Sequence, residues 1–270
     1  MLIKSLGFQT NLIFSRFSGS VEDRGNYTLI KTPTNPEYHW GNYIIFDQPP
    51  KKGDLEKWRS LFDCEFEYYQ EPHHYVFAWD LQDDLNSDVR EFLAAGFELD
   101  STAVLTTSRL NPPRHFNKNL EIRKLVTDSD WDQVVQLQNL CADPKYVNDD
   151  YFEFKKQQMS QYRKMSEAGL GFWFGAFLGK TLVGDLGIFH ERSVGRYQSI
   201  ETHPEYRRQG VCGTLAYEAG QAMIKEADLK LLVIEADPEY HAARIYKSIG
   251  FHGEETNYSL SLWRGKENIS

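Results

Sequence analysis

From residue 120 onward the apolar positions switch repeatedly between two periods. Leu120–Lys124 (LEIRK) reads as a short strand. Asp128 to Leu140 opens on an Asp/Ser cap and then places Trp131, Val134, Val135 and Leu137 at helical spacing. Tyr151–Ser166 predicts a second, charged helix. Phe172–Leu178 and Thr181–Phe189 predict two strands joined by a tight Gly179-Lys180 turn, with Arg196–Thr202 as the next strand. Val211–Ala227 sets Leu215, Ala219, Ala222 and Ile224 along one side of a helix. Leu229–Glu235 is dominated by apolar residues, as a central strand would be. Ala242–Ser248 predicts a short helix, and Tyr258–Trp263 closes with alternating residues. The order βααβββαβαβ predicts an α/β domain built on one mixed sheet.

Upstream the pattern breaks at Asn111-Pro112-Pro113-Arg114-His115. Two prolines remove two backbone donors and restrict the residues before them, so a linker is expected at 111–117. It would separate a domain of residues 1–110 from one of residues 118–265. The first half also repeats the ending of the second. Phe92 onward (FLAAGFELDSTAVLTTSR) runs in step with Tyr246 onward (YKSIGFHGEETNYSLSLW). Gly96-Phe97 falls on Gly250-Phe251, and each stretch follows an apolar strand ending in Asp, Val76–Asp80 and Leu232–Asp237. A fixed-offset likeness of this kind points to a duplicated unit.

Bulk composition narrows the class. At 270 residues, 41% hydrophobic and 26% charged, the chain can bury a real core. A net charge of −9 argues against non-specific binding to nucleic acid or an anionic membrane, and suits a cationic or amine-bearing partner. Cys64, Cys141 and Cys212 are odd in number and far apart, which offers neither a disulfide framework nor a zinc spacing. No run approaches a membrane helix, and the N-terminal stretch lacks a small-residue cleavage site. A cytoplasmic location follows as the expectation. The aromatic cluster Tyr68-Tyr69, His73-His74-Tyr75 and Trp79 reads as core, and adjacent histidines on a strand point to opposite faces, which disfavours a metal site.

The segment with readable chemistry is Ser199–Gly213, SIETHPEYRRQGVCG. A strand ends at His203-Pro204, and a basic, glycine-containing turn leads into the helix near Val211. The first turn of a helix leaves N–H groups unpaired and carries about half a positive charge. Gly210 and Gly213 would let a ligand approach the backbone, and Arg207 and Arg208 add charge at the rim. A pyrophosphate is the expected guest.

These residues resemble the acyl-CoA-binding motif of the GNAT acetyltransferase superfamily, Arg/Gln-x-x-Gly-x-Gly/Ala, here Arg207-Arg208-Gln209-Gly210-Val211-Cys212. The second half of the signature follows as Ala242-Ala243-Arg244-Ile245-Tyr246-Lys247-Ser248-Ile249-Gly250-Phe251. The resemblance implies a GNAT fold of α/β (α+β) class, a mixed and mostly antiparallel sheet flanked by helices, preceded by a smaller degenerate GNAT-like domain. It implies acetyl-CoA as co-substrate, no metal, and an amine acceptor, with Asn117–Arg264 as the catalytic region. Cys212 stands where the family has Gly or Ala. It is either a tolerated small residue or, at a helix N-terminus, a thiol of lowered pKa.

The resemblance also implies roles. Backbone of Ile200, Glu201 and Thr202 would pair with the pantetheine arm, and amides from Arg208 through Gln209, Gly210, Val211, Cys212 and Gly213 to Thr214 would wrap the pyrophosphate. Tyr246 falls where the family commonly places the acid that protonates the departing thiolate. A base must free the amine, whose deprotonation at pH 7 costs about 4–5 kcal/mol. Glu201 is the first candidate and His203 the second, both placed on one strand face by alternation, with Glu235 opposite. In the first half Phe92 replaces Tyr246, and Gln48-Pro49-Pro50-Lys51-Lys52-Gly53 occupies the phosphate-loop place with two donors removed. Residues 1–110 therefore read as an inactive copy that would flank the cleft. Direct acetyl transfer to a primary amine is the expectation. A non-catalytic acyl-CoA-binding or sensory module acting through a protein partner is the alternative. The acceptor and the oligomeric state carry no signature.

Overall fold

The computed structural model describes residues 1–36, 38–67, 74–80, 87–144, 148–237 and 242–263. It divides into two compact units, unit 1 of Met1–Val104 with Glu254–Ser270 and unit 2 of Leu105–Gly253.

Unit 1 opens with α1 (Leu6–Ser18), whose N-cap Ser5 accepts the Phe8 N–H. The strands β1 (Ser20–Asp23), β2 (Tyr27–Lys31) and β3 (Tyr43–Phe46) pair antiparallel in sequence. Then α2 (Leu55–Glu65) leads to β4 (His74–Trp79), which lies parallel to β3. A short α3 (Arg90–Ala94) precedes β5 (Glu98–Thr107). The period-2 geometry of β4 divides its side chains between two cores. Tyr75, Phe77 and Trp79 join Phe46, Trp58, Phe62, Phe92 and Phe97, while Val76 and Ala78 join Phe8, Leu12 and Ile30 beneath α1. His74 is buried as well, so the core reading holds for His74, Tyr75 and Trp79. Tyr68, Tyr69 and His73 lie outside the described residues.

Unit 2 contains β6 (Glu121–Lys124), α4 (Asp128–Cys141), α5 (Asp149–Glu167), β7 (Gly171–Leu178), β8 (Thr181–Glu191) and β9 (Val194–Thr202). It continues with α6 (Val211–Ala227), β10 (Leu231–Ala236), α7 (Ala242–Ser248) and the start of β11 (His252–Trp263). β6 to β9 are antiparallel neighbours and β10 adds parallel to β9. The sheet is mixed and mostly antiparallel. Helices cover both faces: Gly184 of β8 abuts Val211 and Leu215 of α6, while Tyr162 of α5 stacks on Trp173 of β7 at 4.8 Å. Thr127 and Asp130 form a capping box on α4, and Arg123 holds the same Asp130 carboxylate at 2.6 and 3.0 Å.

Two expectations are corrected. The boundary falls inside β5, between Val104 and Leu105, so 111–117 is no linker but part of unit 2. Those residues are mostly exposed but tied down: Asn111 N–H donates to the Ile249 carbonyl (2.9 Å), and Asn117 N–H donates to Thr214 Oγ1 (2.9 Å). The closing strand also belongs elsewhere. Residues 258–263 pair antiparallel with β4 of unit 1, from Tyr258↔Trp79 to Trp263↔His74, and Leu260 is fully buried in that core. Their alternating pattern identifies a strand and its buried face, but not the sheet it joins.

Candidate functional site

The turn between β9 and α6 gathers backbone donors. Arg208 has φ 61° and Gly210 φ 77°, and this left-handed pair curls successive N–H groups toward one side as an anion-binding nest. The first helical bond runs from Thr214 N–H to the Gly210 carbonyl. Among the described residues the amides from Arg208 to Gly213 have no protein acceptor outside the helix ladder. Arg207 and Arg208 are exposed at the rim.

Gly210 and Gly213 also have a reason within the protein's own packing. A Cβ on Gly210 would meet the His115 carbonyl oxygen, and one on Gly213 would press Pro113 at 3.2 Å. The chain's own segment 113–117 backs the turn, with Asn117 Nδ2 donating to the Gln209 carbonyl (2.9 Å). The prolines that looked like a linker are a brace for this loop. Cys212 is partly buried there, and burial pushes its thiol up to about 12, which removes the reading of an activated thiolate.

Next to the turn the sheet parts. β9 and β10 pair in parallel only from Val194↔Leu231 to Arg196↔Val233. Beyond Arg196, β9 runs on through Ile200, Glu201 and Thr202 with β8 as its neighbour among the described residues. The register against β8 shifts between Asp185 and Gly187, so that Ser199 and Ile200 form a bulge opposite one residue. Ser199 takes φ 45°, a strained value for a side-chain-bearing residue. Its carbonyl leaves the ladder and accepts from Gln138 Nε2 at 3.2 Å.

A cluster of titratable groups lies under this bulge, on the α4–α5 face. Asp185 of β8 is cross-strand partner of Glu201 and fully buried. Its Oδ1 accepts from Gln138 Nε2 (2.8 Å) and Trp173 Nε1 (2.9 Å), while Oδ2 has no partner among the described residues. Burial raises Asp185 to about 8, against the lowering by those two donors. Burial raises Glu201 as well, opposed by Lys155, by a hydrogen bond with the Cys141 thiol and by Arg207. Cys141 Sγ also donates to the Thr202 carbonyl at 3.4 Å, and burial pushes that thiol up to about 12. Lys155 is lowered by burial, while Glu201 and Asp185 pull it up.

Glu201 thus sits within the cluster, but His203 does not extend the strand. β9 ends at Thr202, and His203 caps the 3-10 turn Pro204–Tyr206, its Nδ1 accepting from Glu205 N–H at 3.3 Å. Pro204 forces this departure, so alternation no longer places the two side chains on one face. Glu235 of β10 is ion-paired with buried Arg196 at 2.5 Å. Tyr246 lies on α7, buried at 6% exposure. Asp185, Gln138 and Lys155 were missed in the sequence. Only Asp185 left a signal, a lone carboxylate inside the apolar run 182–189.

The corresponding loop of unit 1 is filled by the protein itself. Gly53 N–H donates to Glu91 Oε2 (2.8 Å), Lys51 N–H donates to Asp54 Oδ2 (2.9 Å), and Pro49 and Pro50 are buried. Phe92, in the place of Tyr246, is fully buried in the aromatic core.

No curated protein matches the sequence. Among solved structures, a functionally unknown conserved protein from Staphylococcus epidermidis superposes with TM-score 0.73 at 15% identity, over 90% of this chain and 93% of that one. A GCN5-related N-acetyltransferase from Kribbella flavida gives 0.63 at 11% identity, over 95% and 96%. A tandem GNAT protein from the clavulanic acid biosynthesis pathway gives 0.55 at 12%, over 83% and 75%. These likenesses show a GNAT fold. The model of the acetyltransferase (GNAT) family matches residues 131–251. Both halves of the motif and the parted strands lie within that span, and residues 131–251 form a domain of the GNAT acetyltransferase family.

Proposed function

We propose that unit 2 transfers an acetyl or short acyl group from acyl-CoA to a primary amine by direct attack, and that unit 1 is an inactive copy. The observation that carries this reading is the parting of β9 from β10 after Arg196, beside a turn whose amides from Arg208 to Gly213 have no protein acceptor among the described residues. A pantetheine arm can add to the open edge of β9 as a further strand, with the pyrophosphate held by the turn. The thioester then lies by the bulge at Ser199 and Ile200, whose released backbone groups can polarise its carbonyl.

Chemistry follows from the flanking groups. The acceptor enters as an ammonium and must lose a proton. Glu201 is suited to take it, because burial raises this carboxylate and narrows its gap to the amine. The neutral nitrogen forms the new C–N bond at the thioester carbon. The C–S bond breaks, the CoA thiolate takes a proton from the Tyr246 hydroxyl, and the phenolate recovers one from the surplus proton on the newly bonded nitrogen. A phenol near pKa 10 and a thiol near about 8.5 are matched closely enough for that transfer. Acetyl-CoA is the co-substrate, and positioning is the protein's main contribution.

Calorimetric titration with acetyl-CoA, beside Arg208→Glu, tests the site. Arg208 is exposed and already left-handed, so charge reversal leaves the packing intact, unlike a change at Gly210. Binding to the wild type, weakened about ten-fold (about 1.4 kcal/mol) in the variant, is the expected result. Absence of binding to the wild type would end the reading. Binding without thiol release across an amine panel would favour an acyl-CoA sensor instead, and Tyr246→Phe should slow release where it occurs.

A further inference from the structure

Lys155 is a cation without a matching anion in contact. Its ammonium donates to the amide oxygens of Gln138 (3.4 Å) and Gln158 (3.1 Å), with the Tyr151 ring at 5.7 Å. Among the described residues no carboxylate comes within ion-pairing distance of it. Charges drawn into a protein are ordinarily paired, since desolvation is otherwise uncompensated. Lys155 is only partly exposed, and burial already pulls its ammonium down.

Across the same cluster Glu201 is in the complementary condition. It is joined to the Cys141 thiol rather than to a cation, and Lys155 and Arg207 act on it from beyond direct contact. Arg207 turns its Nε to the Thr202 carbonyl at 3.3 Å. Asp185, opposite Glu201 in register, leaves Oδ2 buried and, among the described residues, unpartnered. Near neutral pH Asp185 holds its proton, so the cluster offers the Glu201 carboxyl and the Lys155 ammonium out of direct contact, with the Gln138 amide joining Lys155 to Asp185. Lys155 and Gln138 are further linked to the site itself, because Gln138 also holds the Ser199 carbonyl of the bulge.

We infer that the acceptor is an amino carboxylate, with its amine at Glu201 and its carboxylate at Lys155. This rests on the reading of unit 2 as an amine-acylating domain, and adds to it the second charge of the acceptor. A ligand of that kind supplies Lys155 with its missing anion and Glu201 with its missing cation at once. A polyamine or a simple alkylamine would leave Lys155 facing a second positive charge.

The test is calorimetric titration of the full chain, with and without CoA, by α-amino acids and by 4-aminobutanoate and 5-aminopentanoate, each beside its carboxamide. At least one amino carboxylate should bind, and its carboxamide should bind at least about ten-fold more weakly. Lys155→Met should shrink that gap to below about three-fold, and Lys155→Arg should keep it. If Lys155→Met does not fold, the comparison of carboxylate with carboxamide on the wild type decides alone. No binding by any amino carboxylate, or equal binding of the carboxamides, overturns the inference. Because the readout is acceptor binding, it is separate from the acetyl-CoA titration: failure there with success here would overturn the transferase reading and leave this site standing.

Discussion

Replacing Asp185 by Asn isolates the energetic consequence of burying a carboxyl in β8. Asp185 has no exposed surface, and its pKa is raised from 3.8 to about 8, chiefly by desolvation. The sign is fixed by linkage. Between these two values the unfolded chain has lost the proton and the folded chain has kept it, so stability falls as pH rises through that window. It is fully present below about pH 4 and lost by about pH 8. At about 1.4 kcal/mol per pH unit, the loss approaches about 6 kcal/mol as an upper bound. Asn keeps an oxygen for the Gln138 and Trp173 donors and cannot ionise, but its amide N–H groups would be buried without an acceptor, at about 1–3 kcal/mol. The wild type should therefore be the more stable protein near pH 4, and Asp185→Asn the more stable by about 2–4 kcal/mol above pH 7. Two units can unfold separately, so a local probe is needed. Hydrogen exchange of β7 and β8 amides, corrected for intrinsic pH dependence, reports opening free energy in unit 2. Parallel profiles for the two proteins from pH 4 to pH 9 would refute the reasoning.

Two further outcomes follow from the packing. Truncation after Gly253 removes from unit 1 the strand that pairs with β4, with buried Leu260 and the Asn257 and Glu255 partners of Ser5. Leu260 alone accounts for about 2–3 kcal/mol, so unit 1 should become protease-sensitive, and unchanged resistance would contradict the assignment of β11. Gly210→Ala should destabilise unit 2 by about 1–3 kcal/mol without any ligand, because a left-handed backbone and the His115 carbonyl both oppose a side chain. Denaturation matching the wild type would show that segment 113–117 does not brace the turn.

Local signals were legible in the sequence, and pairings at a distance were not. The basic turn at Arg207–Gly210, the helix at Val211–Ala227 and the short helix bearing Tyr246 depend on neighbours in the chain, and each was readable there. The acidic cluster depends on which faces of α4 and α5 meet β8 and β9. Gln138 and Lys155 look like ordinary polar helix residues until Asp185 and Ser199 are opposite them. His203 shows how little is needed to upset a periodic argument: one proline after it ends the strand, and the imidazole becomes a cap. Pro112 and Pro113 carried a true local statement, that no helix or strand continues there, and a false larger one. A segment barred from regular structure can still be held in place, and this one is pinned by Asn111 and Asn117.

The two repeats use one topology and differ in what fills the gap. β1–β2–β3, α2, a parallel β4 and α3 follow the order and orientation of β7–β8–β9, α6, a parallel β10 and α7. In unit 1 the parallel pairing reaches the end of β3, at Phe46↔Trp79, so no edge is left for an added strand. Phe46 stacks on Trp58 at 3.8 Å, and Phe92 packs against the same ring. In unit 2 the pairing stops six residues before β9 ends, beside the bulge at Ser199 and Ile200. The anion turn follows the same division, since Glu91 answers the Gly53 amide in unit 1 while the Arg208–Gly213 amides of unit 2 have no protein acceptor among the described residues. Closing the strand gap, filling it with rings and supplying a carboxylate from within all favour the folded state of unit 1. Each also removes a place where a ligand could bind. Unit 2 retains the strained Ser199 backbone, the unpartnered Asp185 oxygen and the unpaired Lys155, and such uncompensated groups are where a binding partner has the most free energy to gain.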